Sequence, residues 1–229
     1  MEELLQSFYK AWKLISTFDL EIYRIIGLTL VVTISSTAMA ALLGLPIGTM
    51  LGMRNFPGKK MLVKLVNTLM GLPPVVAGLL IYLLLSRKGP LGSLQLLFTP
   101  TAMVIVQVLI ILPIITGLTI AIVHTKIKSI LEICQGLGLK RAHILRLLLH
   151  ECRFPLISAV LVGYGRATSE VGAVILVGGN IQYHTRVLTT AIVLETGQGM
   201  YDQALAMGLI LLLISFLINW IVQRLQEAV

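Results

Sequence analysis

Five apolar runs, each near the length that crosses a bilayer as a helix, divide this chain and fix most of what it can become. They cover 25–51, 62–85, 101–123, 155–177 and 205–222. About 20 apolar residues, rising 1.5 Å each, span roughly 30 Å of hydrocarbon. Composition agrees: 57% of residues are hydrophobic and only 12% are charged, against about 25% charged in a soluble domain. The sequence predicts an all-α polytopic membrane protein with about five transmembrane helices. The first run is long enough to tilt or kink near Gly44 and Pro46. It is too long for a signal peptide, lies behind polar and mixed residues, and carries no convincing cleavage site. Residues 1–24 read as an amphipathic segment lying on the membrane. Leu4, Leu5, Phe8, Trp12 and Ile15 recur at helical spacing, and Tyr9 and Trp12 suit the interface. Residues 25–229 then form a single transmembrane domain.

The net charge of +8 reports topology rather than a nucleic-acid partner. With the N-terminus outside, eleven Lys and Arg residues fall on the cytoplasmic side and six outside, with Arg166 inside a run. The inner set is concentrated in 54–64 and 126–153; the outer set includes Arg24, Arg87 and Arg186. The positive-inside rule favours this orientation, which leaves the C-terminus cytoplasmic. Cys134 and Cys152 fall on the inner side, are not spaced as a CxxC pair, and are expected as free thiols. His143 and His150 share one loop, but no carboxylate stands at ligand spacing, so no metal site is expected. "GMRNFPGKK" (52–60) ends in Gly-Lys, yet it has the wrong spacing for a phosphate-binding loop and no Ser or Thr after the lysine. It reads as a basic turn. No soluble domain is large enough to hydrolyse a nucleotide, so ATP-driven work would have to come from another chain.

The segment 124–153 is the most informative stretch outside the runs. Ile127, Ile130, Leu131 and Cys134 have helical spacing, and Ile144, Leu147 and Leu148 repeat it. Gly136 and Gly138 lie between, where a helix can end and turn. A short helix–turn–helix with an apolar face and basic edges, at a membrane surface, suits a docking groove.

Here a resemblance enters. Glu132-Ile133-Cys134, followed by Gly138, resembles the EAA loop of ABC importer permeases, with Ile133 and Cys134 in place of two alanines. Glu151 stands where a first proline is usual, and Pro155 matches a second one. The stretch "GLPPVVAGLLIYLLLSRKGPLG" (71–92) resembles the second conserved span of the molybdate, tungstate and sulfate permeases. "GYGRATSEVGA" (163–173) resembles the same group's Gly-Arg-x-x-x-Glu-x-Gly-Ala segment. "GGNIQYHTRVLTTAIVLETGQG" (178–199) looks most like the tungstate-specific permeases. The resemblance covers nearly the whole chain from about residue 25. It implies that 124–153 holds a coupling helix that inserts into an ATPase subunit. Glu132, Ile133, Cys134, Gly138 and Leu139 would belong to the coupling element, and Lys140 and Arg141 would flank it.

Arg166 and Glu170 are four residues apart in the fourth run, so on one continuous helix they would share a face. Pairing would lower the cost of burying both, and an ionisable residue inside a span is a functional-site hypothesis by default. Arg166, Ser169, Glu170 and Gly172 are therefore the gate or translocation candidates; the bland alternative is an ion pair that only fixes packing. Thr33, Ser35, Ser36 and Thr37 cluster in the first run, where hydroxyls either line a path or bond back to their own helix. The resemblance implies the permease subunit of an ATP-driven importer for a tetrahedral oxyanion, tungstate before molybdate or sulfate, working by alternating access. It implies a second copy of the chain, a cytoplasmic ATPase dimer that holds ATP and Mg, and an outer binding protein. No catalytic residue and no cofactor are expected in this chain. Deep binding in the pore would slow exit, so selection is better placed on the separate receptor. The competing class is an ATP-independent channel or ion-coupled carrier in which Arg166 and Glu170 handle ions directly.

Overall fold

A computed structural model describes residues 9, 12–13, 20–136 and 141–227. Most of the amphipathic segment expected over 1–24 lies outside them. Among the described residues the chain is helical, with no strand. The helices are α1 (Leu20–Met53), α2 (Lys59–Met70), α3 (Pro74–Leu85), α4 (Pro100–Gly136), α5 (Arg141–Glu151), α6 (Arg153–Thr168), α7 (Gly172–Gly178), α8 (Leu188–Gly197) and α9 (Tyr201–Glu227). Three of them, α1, α4 and α9, are each long and apolar enough to cross a membrane. The pairs α2 + α3 and α6 + α7 pass the same test together, each bent at a break of at most 4 residues. Counting each bent pair as one span gives five.

Two of the expected runs are thus broken rather than continuous. Gly71-Leu72-Pro73-Pro74 interrupts the second. Neither proline has an N–H, and each disfavours helix in the residue before it, so α2 stops and α3 restarts with Pro74 in its first turn. The first run begins earlier than expected, at Leu20, and α1 continues through Pro46. The third does not end near residue 123: α4 runs on to Gly136 and carries the first half of the expected loop. The short apolar helix α8 appears where only a connecting segment was expected.

The chain divides into two compact units. One takes in residues 1–36, 73–107 and 167–229; the other takes in 37–72 and 108–166. In the first, Ile22 and Ile25 of α1 pack with Leu188 and Ala191 of α8 and Met207 and Ile210 of α9. Helices α3 and α7 meet through small residues: a Cβ placed on Gly78 would lie 2.8 Å from the Ala173 Cα. In the second unit, α1 and α4 approach closely along Gly44, Gly48 and Gly52. A Cβ on Gly48 would lie 2.5 Å from Thr119 Cβ, and one on Gly52 would lie 2.6 Å from Val123 Cγ1. Small residues every fourth position allow such an approach in a membrane, where packing rather than water exclusion drives helix association. The same unit holds a core of Val123, Ile127, Ile130 and Cys134 from α4, Ile144 and Leu148 from α5, and Cys152 and Leu156 beyond it.

Much of the apolar surface remains uncovered, as expected of a chain solvated by lipid. Helix α9 shows this most. Only 17% of its most apolar window is buried, and Leu212, Phe216 and Trp220 are all exposed.

Candidate functional site

The fourth run changes direction at its charged residues. Helix α6 ends at Thr168, two residues after Arg166, and α7 starts at Gly172. Ser169, Glu170 and Val171 form the break. Arg166 and Glu170 therefore do not lie on the one continuous helix that their spacing suggests. The physical reason lies in the carboxylate. Glu170 is 3% exposed, and its Oε1 accepts a hydrogen bond from the Ala173 amide at 3.0 Å. That amide is one of the unbonded donors in the first turn of α7, so Glu170 helps start the new helix. Its own carbonyl accepts from Thr189 Oγ1 of α8 at 3.0 Å. Ser169 is exposed, Arg166 is half-buried, and Gly172 opens α7 where an added Cβ would sit 3.1 Å from Val75 Cγ2 of α3.

Around this break lies a buried polar chain. Gln107 of α4, 3% exposed, donates from Nε2 to the Ala167 carbonyl at 3.1 Å and accepts at Oε1 from Ser36 Oγ of α1 at 2.7 Å. One amide side chain thereby joins α1, α4 and the end of α6. The Ala167 carbonyl, near the end of its helix, also accepts from the Glu170 amide at 3.2 Å, and Gln107 adds a second donor to it. Thr29 Oγ1 donates to the Ile25 carbonyl and accepts from the Leu188 amide at 2.9 Å, satisfying the start of α8. Buried polar groups in a membrane protein need such partners. Of the hydroxyl cluster, Thr33 bonds back to the Thr29 carbonyl of its own helix at 2.7 Å, while Ser36 both bonds back to the Thr33 carbonyl at 3.1 Å and reaches across to α4. Gln107, Thr29 and Thr189 were not singled out from the sequence. Gln107 had a signal, being an amide inside the apolar run "MVIVQVLIILP".

The expected coupling segment divides by burial. Cys134 is fully buried in the core between α4 and α5, together with the other residues whose spacing marked an apolar face. That face is consumed within the segment and is not free for docking. Glu132 and Ile133 stay exposed, Ile133 at 55%, as do Leu145 and Leu149 of α5. Arg141 opens α5; Gly138, Leu139 and Lys140 lie outside the described residues. Both cysteines are free and buried. Burial pushes the Cys152 thiol up from its ordinary range, with Lys126 opposing the rise and Glu151 adding to it.

Comparison with known proteins agrees with this architecture. The model of a family described as binding-protein-dependent transport system inner membrane component matches residues 44–229. The tungstate uptake system permease protein TupB of Peptoclostridium acidaminophilum is 42% identical over 227 residues, covering 99% of this chain and all of that one. A probable anion ABC transporter permease protein of Haloferax volcanii is 37% identical, covering 91% of this chain and 94% of its own. The sulfate transport system permease protein CysW of Synechocystis is more distant, 30% identical over 70% of this chain and 61% of its own.

Proposed function

Because the chain belongs to the family of binding-protein-dependent transport system inner membrane components, we propose that it carries tungstate inward as the membrane subunit of an ATP-driven importer. It is a multi-pass membrane permease subunit of the ABC importer class. The substrate assignment is carried by one observation: 42% identity along essentially the full length of a tungstate uptake permease. The lower identity and coverage of the sulfate permease place sulfate second.

The remaining parts of the reading follow from the class and from the site. Two copies of the chain would surround one pathway. ATP and Mg would be held by a separate cytoplasmic ATPase dimer, and a binding protein would deliver the anion from outside. The charge distribution supports an outer N-terminus and a cytoplasmic C-terminus. The exposed Glu132 and Ile133, with the exposed Leu145 and Leu149 of α5, suit contact with the ATPase, and buried Cys134 supports them from beneath. Arg166, Ser169, Glu170 and Gly172 sit at the α6–α7 break, where a change of backbone direction suits a gate. The identity of the anion is tested by competition. Tungstate uptake by the reconstituted complex should resist excess sulfate and be suppressed by unlabelled tungstate. Equal suppression by sulfate would remove the tungstate assignment.

A further inference from the structure

A cleft of about 220 Å³ lies beside the start of α1, lined by Glu21, Arg24, Tyr183, His184 and Arg186 together with two apolar side chains of α1. It belongs wholly to the first unit and is separate from the α6–α7 break. Its floor is a tied loop. The Ile181 carbonyl accepts from the amides of Thr185 and Arg186 at 2.9 and 3.0 Å, and the Ile181 amide donates to Thr185 Oγ1 at 2.9 Å. Tyr183 is held at φ 62, a left-handed conformation uncommon for a bulky residue. Its ring lies 5.8 Å from the Arg24 guanidinium carbon.

The charges in the cleft are unevenly satisfied. Glu21 accepts a short hydrogen bond from Gln182 Nε2 at 2.8 Å, but meets Tyr183 Oη at 3.4 Å and Arg186 Nη1 only at 3.5 Å. Arg186, with a side chain 17% exposed, keeps a buried Nε–H that has no hydrogen-bond partner among the described residues. A buried donor without an acceptor is costly. A guanidinium so placed, with a second one in the same cleft, suits an oxygen-rich anion. The volume is below the range typical of organic ligands and fits a small hydrated ion.

We propose that this cleft is an anion-binding site that takes a free tetrahedral oxyanion between Arg186 and Arg24. Glu21 is the resident carboxylate that the anion displaces from Arg186. The choice of ligand rests on the oxyanion-importer reading; the preference for an anion rests on the two guanidiniums. Glu21 keeps the site weak, which suits a station an ion must leave, because tight binding would stall transport. A carboxylate on a docking protein would share the same chemistry, so the two sources must be separated.

The test is equilibrium dialysis of the full chain with its ATPase in lipid nanodiscs, against tungstate, with bound tungsten measured by mass spectrometry. Parallel dialyses use sulfate and phosphate. At sub-saturating tungstate, Arg186→Gln and Arg24→Gln should each lower bound tungsten about tenfold, the scale of one lost charged contact. Glu21→Gln should raise it severalfold, whereas a carboxylate that only props the loop would give a fall. Arg24 is exposed, so its variant decides the matter if Arg186→Gln misfolds. Unchanged tungsten in Arg24→Gln, or a fall in Glu21→Gln, overturns the site. So does unchanged tungsten with weakened capture of the binding protein, which would make the ligand a partner's carboxylate. Tungstate uptake in vesicles, run alongside, separates the two readings. Uptake with flat dialysis rejects the cleft alone. No oxyanion uptake rejects the importer reading, while the sulfate and phosphate dialyses still judge the cleft.

Discussion

Gln107 and Glu170 each bond a backbone group at a buried helix end, the Ala167 carbonyl and the Ala173 amide. Gln107→Leu removes the donor to the Ala167 carbonyl and the acceptor for Ser36 together. The Ala167 carbonyl keeps the Glu170 amide, and Ser36 keeps the Thr33 carbonyl. The cost should therefore be about 0.5–1.5 kcal/mol, the net worth of a hydrogen bond, rather than the larger penalty for an orphaned buried group. Thermal unfolding in detergent would measure this, and a cycle with Ser36→Ala should show non-additivity, because the two share a hydrogen bond. Glu170→Gln keeps an oxygen that can accept from the Ala173 amide, whereas Glu170→Ala deletes it. The glutamine variant should therefore assemble nearly as the native protein does, and the alanine variant should lose about 1–3 kcal/mol. If glutamine also preserves uptake, the carboxylate is a structural group and no part of a gate. Cys152 adds a pH dependence. Its thiol ionises above the ordinary range in the folded chain, so its contribution is complete at neutral pH. It is lost as the pH rises above about 8.5, where the unfolded thiol ionises first. Alkaline titration of stability should separate the native protein from Cys152→Ala there, with the native protein falling more steeply.

At the scale of elements, hydropathy carried the apolar runs but not their breaks. A window average sees Leu62–Leu85 as one span, because Gly71-Leu72-Pro73-Pro74 is barely less apolar than its neighbours; the interruption is written in backbone chemistry. The break at Ser169–Val171 has no proline at all. There the spacing of Arg166 and Glu170 invited a helical reading, and the carboxylate's bond to a backbone amide overrode it. The docking loop was half legible. The spacing of Ile127, Ile130, Cys134, Ile144 and Leu148 identified an apolar face correctly, but sequence alone does not say whether such a face meets its own neighbour or a partner. Ile133 is the better docking candidate, and Ile133→Asp should reduce ATPase capture while leaving the thermal midpoint unchanged. Glycine packing gives a second test at this scale. Gly48→Ala puts a methyl 2.5 Å from Thr119 Cβ, whereas Gly27 has nothing within 4 Å of an added Cβ. Gly48→Ala should destabilise by about 1–3 kcal/mol through overpacking, and Gly27→Ala should be neutral or slightly stabilising.

For the whole molecule, orientation and coupling each have a direct readout. Ser129 and Gln198 are exposed, while the two native cysteines are buried, so single cysteines at these positions report sidedness on the native background. In intact cells a membrane-impermeant maleimide should label Gln198→Cys and spare Ser129→Cys. The reverse pattern would invert the topology. The central claim is that this chain moves an oxyanion only when driven by a partner's ATP hydrolysis. Proteoliposomes holding the chain, its ATPase and a tungstate-loaded binding protein test it most directly. The account predicts accumulation of tungstate against its gradient when ATP and the loaded binding protein are both present, and none when either is missing. Tungstate equilibrating through this chain alone, at the same rate with or without ATP, would contradict it and leave a channel in its place.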